Sequence, residues 1–195
     1  MKKNRLFLLT ATTLLLGGIV LLRAQTLANN ATISDADLQA RAKKVIYFNP
    51  EIYPNIEEIK EPTNLAFFSA VSDRVAGMHS NRMIRVESPI EYDNVDAAAI
   101  REFCKNNNAD FAVIPKVKYF KLGIGQYVFS NQVVVSMKLY DAQGNYISES
   151  SYDTYRRNMR MLGSTENSVK IGTGGAMKDM LKDLRKNGRI SSGSL

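Results

Sequence analysis

The chain has 195 residues, of which 45% are hydrophobic, 23% charged and 9% aromatic. These values exclude a disordered, collagen-like or disulfide-framework protein, and the length favours one domain. The formal charge is +7, but removing the four basic residues of the first 28 leaves 22 basic against 19 acidic residues, or +3. Interspersed charge of this size is not the dense basic patch that follows nucleic-acid phosphates, so we expect no nucleic-acid partner.

The first 28 residues have the three-part pattern of a secretory signal peptide. Lys2–Arg5 form a basic start, Leu6–Leu22 an apolar middle, and Thr26 and Ala28 are the small residues that a signal peptidase requires. We predict cleavage after Ala28 and a periplasmic protein. The alternative is an uncleaved inner-membrane anchor, which also leaves the domain outside the cytoplasm because the positive end stays inside. No cysteine lies directly after the apolar run, so the sequence predicts no lipid attachment of the bacterial lipoprotein kind.

The first structural elements after the leader are a strand, a loop and a helix. The β-branched and aromatic run Lys44–Phe48 ends at an Asn-Pro pair and predicts a strand. Residues 51–62 contain two prolines and several acidic residues, so we expect a long exposed loop. Apolar residues then fall at helical spacing, which predicts a helix over residues 64–79 with Thr63 or Asn64 as its cap.

A second strand and helix follow in the same order. Arg82–Ser88 predicts a strand that ends at Pro89. Val95–Asn106 predicts a helix capped by Asn94 or Asp96, and the asparagines at its end favour a left-handed exit.

The second half of the chain predicts a hairpin of strands and a closing helix. Asp110–Leu122 predicts a strand that is buried at its start and half exposed later. Val128–Tyr140 alternates in polarity, as a strand with one wet face does. A turn with Gly144 in a left-handed conformation leads into a strand over Tyr146–Tyr155. Helical spacing returns over Ser164–Lys186.

The element order is therefore β-α-β-α-β-β-β-α. We predict an α/β (α+β) fold with a single mixed sheet of about five strands and three packed helices. The domains that we predict are a signal peptide (1–28), a polar tether (29–42), one α/β domain (43–187) and a flexible tail (188–195).

This pattern resembles a group of bacterial envelope domains. The third strand reads Asn108-Ala-Asp-Phe-Ala-Val-Ile and the hairpin turn Tyr140-Asp-Ala-Gln-Gly-Asn-Tyr-Ile. In these motifs and in element order, residues 43–187 resemble the curli-secretion lipoprotein, the penicillin-binding-protein activator lipoproteins and the amino-terminal domain of the Tol translocation protein. The resemblance implies an assembly or regulatory module. The chain lacks a lipid-bearing cysteine and a pore-forming hairpin pattern, which disfavours a secretion channel.

Two singular residues offer little chemistry. His79 is the only histidine, so a multi-histidine metal site is excluded, and we place it in the last turn of the first helix. Cys104 is the only cysteine, and its place on an apolar stripe predicts a buried core residue. No Gly-x-Ser-x-Gly motif occurs. We predict that the protein is not an enzyme and that it uses no cofactor and no metal.

A glycine-rich segment precedes the last apolar periodicity. Gly172, Gly174, Gly175 and Lys178 are candidates for a weak anion-binding site, because backbone amides at a helix start attract anions. The segment lacks phosphate-loop spacing. The alternative is that the glycines permit close packing of a helix on the sheet, or break the helix so that it begins at Thr173.

A concentration of tyrosine and arginine in the hairpin half predicts a binding surface, since both residue types supply contact area and hydrogen bonds. The alternative is that tyrosine is simply common in strands. The candidate binding residues are Tyr119, Tyr140, Tyr146, Tyr152, Tyr155, Arg156, Arg157 and Arg160.

We predict a non-enzymatic periplasmic or envelope-associated accessory protein that binds another envelope protein or complex, with self-association as a further option. One alternative function is a small envelope-glycan hydrolase that uses Asp141, Glu149 or Asp153 as paired carboxylates. The other is a ligand or anion sensor that uses the glycine-rich segment.

Overall fold

The computed structural model describes residues 42–78, 81–121, 129–158 and 164–186. The predicted signal peptide, the tether up to residue 41, His79, Arg160 and the tail lie outside these ranges. The strands are β1 (Lys43–Asn49), β2 (Glu51–Tyr53), β3 (Asn81–Pro89), β4 (Phe111–Lys121), β5 (Phe129–Asp141) and β6 (Tyr146–Asp153). The helices are α1 (Glu57–Ala76), α2 (Ala97–Asn107), α3 (Thr154–Asn158) and α4 (Thr165–Lys186).

The strands form one open, mixed sheet, which confirms the predicted fold class. Their order is β3-β1-β4-β5-β6, and β2 also pairs with β4. β1 runs parallel to β3 and β4, and β2 continues along β4 just beyond β1. β4, β5 and β6 are antiparallel, because hairpin connections reverse the chain direction whereas helical crossovers preserve it.

Helices cover both faces of the sheet and bury two separate cores. The larger core lies under α1 and α4 and contains Phe67, Val135 and Met180. The smaller core lies under α2 and contains Phe48, Ile100 and Cys104. Cys104 is buried as predicted, and burial raises the pKa of its thiol. In the described ranges no helix has both the length and the apolarity to cross a membrane.

The predicted loop over residues 51–62 is wrong. Its first three residues form β2, and α1 begins at Glu57, so neither Thr63 nor Asn64 caps that helix. Pro62 lies inside α1 near its amino-terminal end, where few backbone hydrogen bonds are lost. Thr63 is buried instead, and its hydroxyl bonds to the Ile59 carbonyl within the helix. Prolines and acidic residues thus mark a helix start here.

The predicted turn chemistry is confirmed at three positions. The Asp96 carboxylate caps α2 by accepting a 2.8 Å hydrogen bond from the Ala98 amide. Asn108 follows α2 in the left-handed conformation, with φ 53°. Gly144 has φ 80° in the β5–β6 turn, and a side chain there would collide with the Ala97 carbonyl.

The glycine-rich segment does not break the last helix. α4 is continuous from Thr165 to Lys186, and the Ser164 hydroxyl accepts a hydrogen bond from the Asn167 amide at its start. A Cβ at Gly172 would lie 2.6 Å from a methyl carbon of Val135, and a Cβ at Gly175 would overlap the ring of Tyr152. The glycines therefore permit close packing of α4 on the sheet.

Candidate binding surface

The tyrosines singled out in the sequence divide between the two faces of the sheet. Tyr119 is buried in the larger core, where its hydroxyl lies 2.5 Å from that of Thr63. Tyr140 is buried in the smaller core on the opposite face. Burial raises the pKa of both phenols. These two residues support the fold, so the prediction that they form an accessible surface is wrong.

Tyr152 and Arg157 connect secondary-structure elements to one another. The Arg157 guanidinium lies 4.9 Å from the ring centroid of Tyr152. Its Nη1 lies 2.8 Å from Oδ2 of Asp179 on α4. Because Gly175 contacts the same ring, this group holds α3 and β6 against α4.

The remaining described candidates are exposed. Tyr146 and Tyr155 each leave 54% of their surface accessible. Tyr146 stacks edge-on against Tyr140 with centroids 5.8 Å apart, and Tyr155 lies 6.3 Å from the ring of Phe120. Arg156 is also exposed, and its Nε lies 3.5 Å from Oδ2 of Asp153.

The α2 side of the sheet carries two rows of side chains that no described helix covers. Strand register aligns Tyr53, Lys118, Val134 and Asp153 in the first row, and Lys116, Ser136 and Ser151 in the second. Facing residues on neighbouring strands lie about 5 Å apart, so each row extends across the hairpin half as a continuous strip. We call these seven residues the open face.

Lys118 is the most accessible cation of the open face. Its ammonium lies 5.7 Å from the ring of Tyr53, which is 58% exposed. In the second row the Ser136 and Ser151 hydroxyls lie 3.0 Å apart; Ser151 is exposed and Ser136 is half-buried beside Tyr92. The open face therefore presents a cation, an aromatic ring and hydroxyl groups side by side.

One boundary of the open face is a buried tyrosine that the sequence reasoning missed. The Tyr92 hydroxyl donates a 2.7 Å hydrogen bond to Glu149, and its backbone amide donates one of 2.8 Å to Glu51. Lys138 Nζ donates to the Tyr92 carbonyl at 2.9 Å and lies 4.4 Å from the ring centroid. Burial, together with the bond to Glu149, raises the pKa of Tyr92 well above its ordinary value. Tyr92 thus holds the connection between β3 and α2 against the sheet.

Lys116 is the residue of the open face that contacts this boundary. Its ammonium lies 2.6 Å from Asp93 and 3.1 Å from Glu51. The hydrogen bond with Asp93 raises the pKa of Lys116 and lowers that of Asp93. Since both acidic partners compensate Lys116, Lys118 is the cation of these two that is left for an external partner.

The three carboxylates considered for glycan hydrolysis each have a separate structural role. Asp141 accepts hydrogen bonds from Gln143 and Asn145 in the hairpin turn. Asp153 accepts from the Tyr155 and Arg156 amides at the start of α3. Glu149 and Asp153 are four residues apart on one strand, or roughly 13 Å, whereas glycosidase carboxylates lie about 5–9.5 Å apart. Their placement does not favour the hydrolase alternative.

The anion-site candidates lie within α4. Gly172, Gly174 and Gly175 occupy the helix interior, where backbone amides bond to carbonyls one turn earlier. This placement favours the packing interpretation over an anion cradle. Lys178 is exposed on the same helix. Among the described residues, no group of three or more His, Cys, Asp or Glu is arranged to hold a metal ion.

A partial signal for the open face exists in the sequence. Alternation of lysine with apolar residues in β4 marks one wet face, and Lys116 and Lys118 lie on it. The contribution of Tyr53 and Tyr92 has no comparable local signal, because each comes from a short segment whose position depends on tertiary contacts.

No protein-family model matches the chain, and no curated protein matches it. Solved structures are similar to it. The PelC dodecamer from Paraburkholderia phytofirmans is 14% identical, with a TM-score of 0.44 over 70% of this chain and 86% of that chain. A hemagglutinin homolog from Helicobacter pylori is 12% identical, with a TM-score of 0.41 over 75% and 87% of the two chains. Lipoprotein GNA1162 from Neisseria meningitidis is 9% identical, with a TM-score of 0.35 over 74% and 99%.

With TM-scores below 0.5 and identities of 14% or less, these similarities do not assign this chain to a class of proteins, and the predicted envelope class stays a prediction. The narrower resemblance to curli-secretion, penicillin-binding-protein activator and Tol proteins stays a prediction. At identities this low the similarity is one of fold.

Proposed function

We propose that this protein is a non-enzymatic accessory protein of the bacterial envelope that binds another envelope protein through the open face. The observation that carries the proposal is the alignment of Tyr53 and Lys118 across neighbouring strands, on the part of the sheet that no described helix covers. The basic and apolar leader supports a location outside the cytoplasm.

The chemistry of the open face favours an acidic protein segment as the bound element. Lys118 offers an ammonium, Tyr53 offers a flat ring, and Ser151 offers an exposed hydroxyl that both donates and accepts. The carboxylate of the open face, Asp153, already accepts hydrogen bonds from the Tyr155 and Arg156 amides. Aromatic and basic side chains of this kind supply much of the binding free energy at protein interfaces. The flat strip of the open face suits an extended chain better than a small enclosed ligand.

Charge reversal at one residue tests the proposal. We expect Lys118→Glu to reduce recovery of the partner at least tenfold after crosslinking in cells, because an acidic segment would then meet a like charge. The matched control is Lys182→Glu, which reverses an exposed lysine on α4. Both variants should melt as the wild type does, since exposed charges contribute little to stability.

Equal partner recovery from both variants would contradict the proposed surface. The non-enzymatic part is tested separately by incubating purified protein with peptidoglycan. Release of soluble fragments, lost in Glu149→Gln or Asp153→Asn, would replace the proposal with the hydrolase alternative.

A further inference from the structure

A second surface lies at the other edge of the sheet, where β3 is the last strand. In the described ranges no strand pairs with its outer side. An unpaired strand edge presents backbone amides and carbonyls to any further strand. The nine residues of β3 contain one proline, Pro89, at the last position, so the rest of the strand can donate backbone hydrogen bonds.

Side chains on β3 alternate in a way that decides what can pair with it. Ile84 and Val86 belong to the smaller core and are only partly buried there. Arg85 and Glu87 lie on the opposite face, two residues apart and with opposite charges, and their Nη2 and Oε1 atoms are 3.5 Å apart. Arg85 also lies 4.3 Å from the ring centroid of Phe68 on α1, which fixes its position.

We propose that β3 pairs antiparallel with β3 of a second copy of this chain, with Val86 on the two-fold axis. Facing residues in an antiparallel pair point to the same face of the sheet, so the two-fold axis must lie midway between two copies of the same residue. An axis at Val86 places Arg85 of each copy opposite Glu87 of the other, giving two reciprocal ion pairs. It also places Ile84 opposite Ser88 and joins the two Val86 side chains.

Other registers lack this complementarity. An axis at Arg85 would place two arginines opposite each other, and an axis at Glu87 would do the same with two glutamates. Like charges directly opposite destabilise a strand pair. An axis at Ile84 would leave Glu87 facing Asn81.

The other sheet edge offers no equivalent charge pattern. β6 carries Glu149 and Asp153, which have the same sign, and no basic residue. Self-pairing of β6 therefore creates no opposite-charge pair. The charge pattern favours β3 as the edge that joins two copies, and the joined sheet would keep the open face of each copy free.

Charge exchange within the pair tests the register. By light scattering after size exclusion over a dilution series, we expect the purified protein to be a dimer. Arg85→Glu or Glu87→Arg alone should raise the dissociation constant at least tenfold, because like charges then face each other. The double variant Arg85→Glu/Glu87→Arg should return to within about threefold of the wild type, since the reciprocal pairs are restored with reversed sign.

The double exchange also controls for folding. Loss of the contact between Arg85 and Phe68 is common to Arg85→Glu and to the double variant, so restored dimerisation isolates the charge pairing. Thermal unfolding should show that each variant is folded.

Disulfide crosslinking tests the position of the two-fold axis independently of charge. Val86→Cys should form a disulfide-linked dimer under mild oxidation, because the two residues face each other. The matched control Ile84→Cys should not, since its two copies would be four residues apart along the pair, or roughly 13 Å. A monomeric wild type, a double exchange that stays monomeric, or equal crosslinking at both positions would overturn the proposal. These outcomes leave the proposed function of the open face untouched.

Discussion

At the scale of single residues, Gly175 sets how closely α4 approaches the sheet. Its missing side chain leaves room for the ring of Tyr152, whose centroid lies 4.9 Å from the Arg157 guanidinium. We expect Gly175→Ala to destabilise the protein by about 1–3 kcal/mol, because the added methyl group would force the ring or the helix to move. Urea unfolding measures the change.

Gly174 provides the matched control on the same helix. A Cβ there would meet nothing within 4 Å. Gly174→Ala should therefore leave stability unchanged or raise it by up to about 1 kcal/mol, since alanine is the better helix former. If both variants lost the same free energy of unfolding, the contact between Gly175 and the Tyr152 ring would not be the reason that position 175 requires glycine.

Asp141 makes the hairpin turn sensitive to acid. Partial burial works against the charged form, but hydrogen bonds from Asn145 and Gln143 lower its pKa below the ordinary 3.8. A lowered folded-state pKa adds stability that is present above the unfolded-state pKa and lost as the pH falls through the folded-state pKa.

Asp141→Asn should therefore reduce the free energy of unfolding by about 1 kcal/mol near neutral pH. The difference from the wild type should shrink as the pH is lowered below the ordinary aspartate pKa of 3.8, because the stability that the ionised carboxylate adds is lost as the pH falls through the lowered folded-state pKa. Urea unfolding at both pH values gives the comparison. A difference that stays constant with pH would contradict an ionised role for Asp141 in the turn.

At the scale of elements, the Thr154 side chain takes over the hydrogen bonds that β6 would make to Val133 of β5 if the strand continued. Its buried hydroxyl accepts a 2.9 Å hydrogen bond from the Val133 amide and donates one of 2.9 Å to the Val133 carbonyl. Thr154→Val should cost about 2 kcal/mol or more, because it leaves two buried backbone groups without a partner. Thr154→Ser, which keeps the hydroxyl, should cost less than Thr154→Val by thermal unfolding.

Sequence periodicity predicts well the elements whose pattern is uninterrupted. β5 and α2 carry an alternation or helical spacing that one buried face imposes, so their type and approximate position follow from the sequence. The prediction for residues 51–62 is wrong because proline and acidic residues are common both in loops and at helix starts. β2 has three residues, too few to show a period, and it forms because β4 offers an edge.

At the scale of the whole molecule, the sequence predicts the fold class more fully than the candidate site. The order of elements and the wet face of β4 can be read from the chain. Which tyrosines are buried and which are exposed cannot be read from the chain. Tyr119 and Tyr146 have similar local sequence patterns and differ only in which elements pack over them. Tyr92 is placed by contacts with Glu51 and Glu149, which are distant in the sequence.

Site-specific photocrosslinking in cells shows whether the open face binds a partner. A photoreactive side chain at position 118 should form one dominant adduct with another envelope protein, and the same side chain at position 182 on α4 should not form it. Because the two positions lie on opposite faces of the sheet, the comparison separates a specific surface from general proximity. The same adduct in equal yield from both positions, or none from position 118, would show that the open face is not the binding surface.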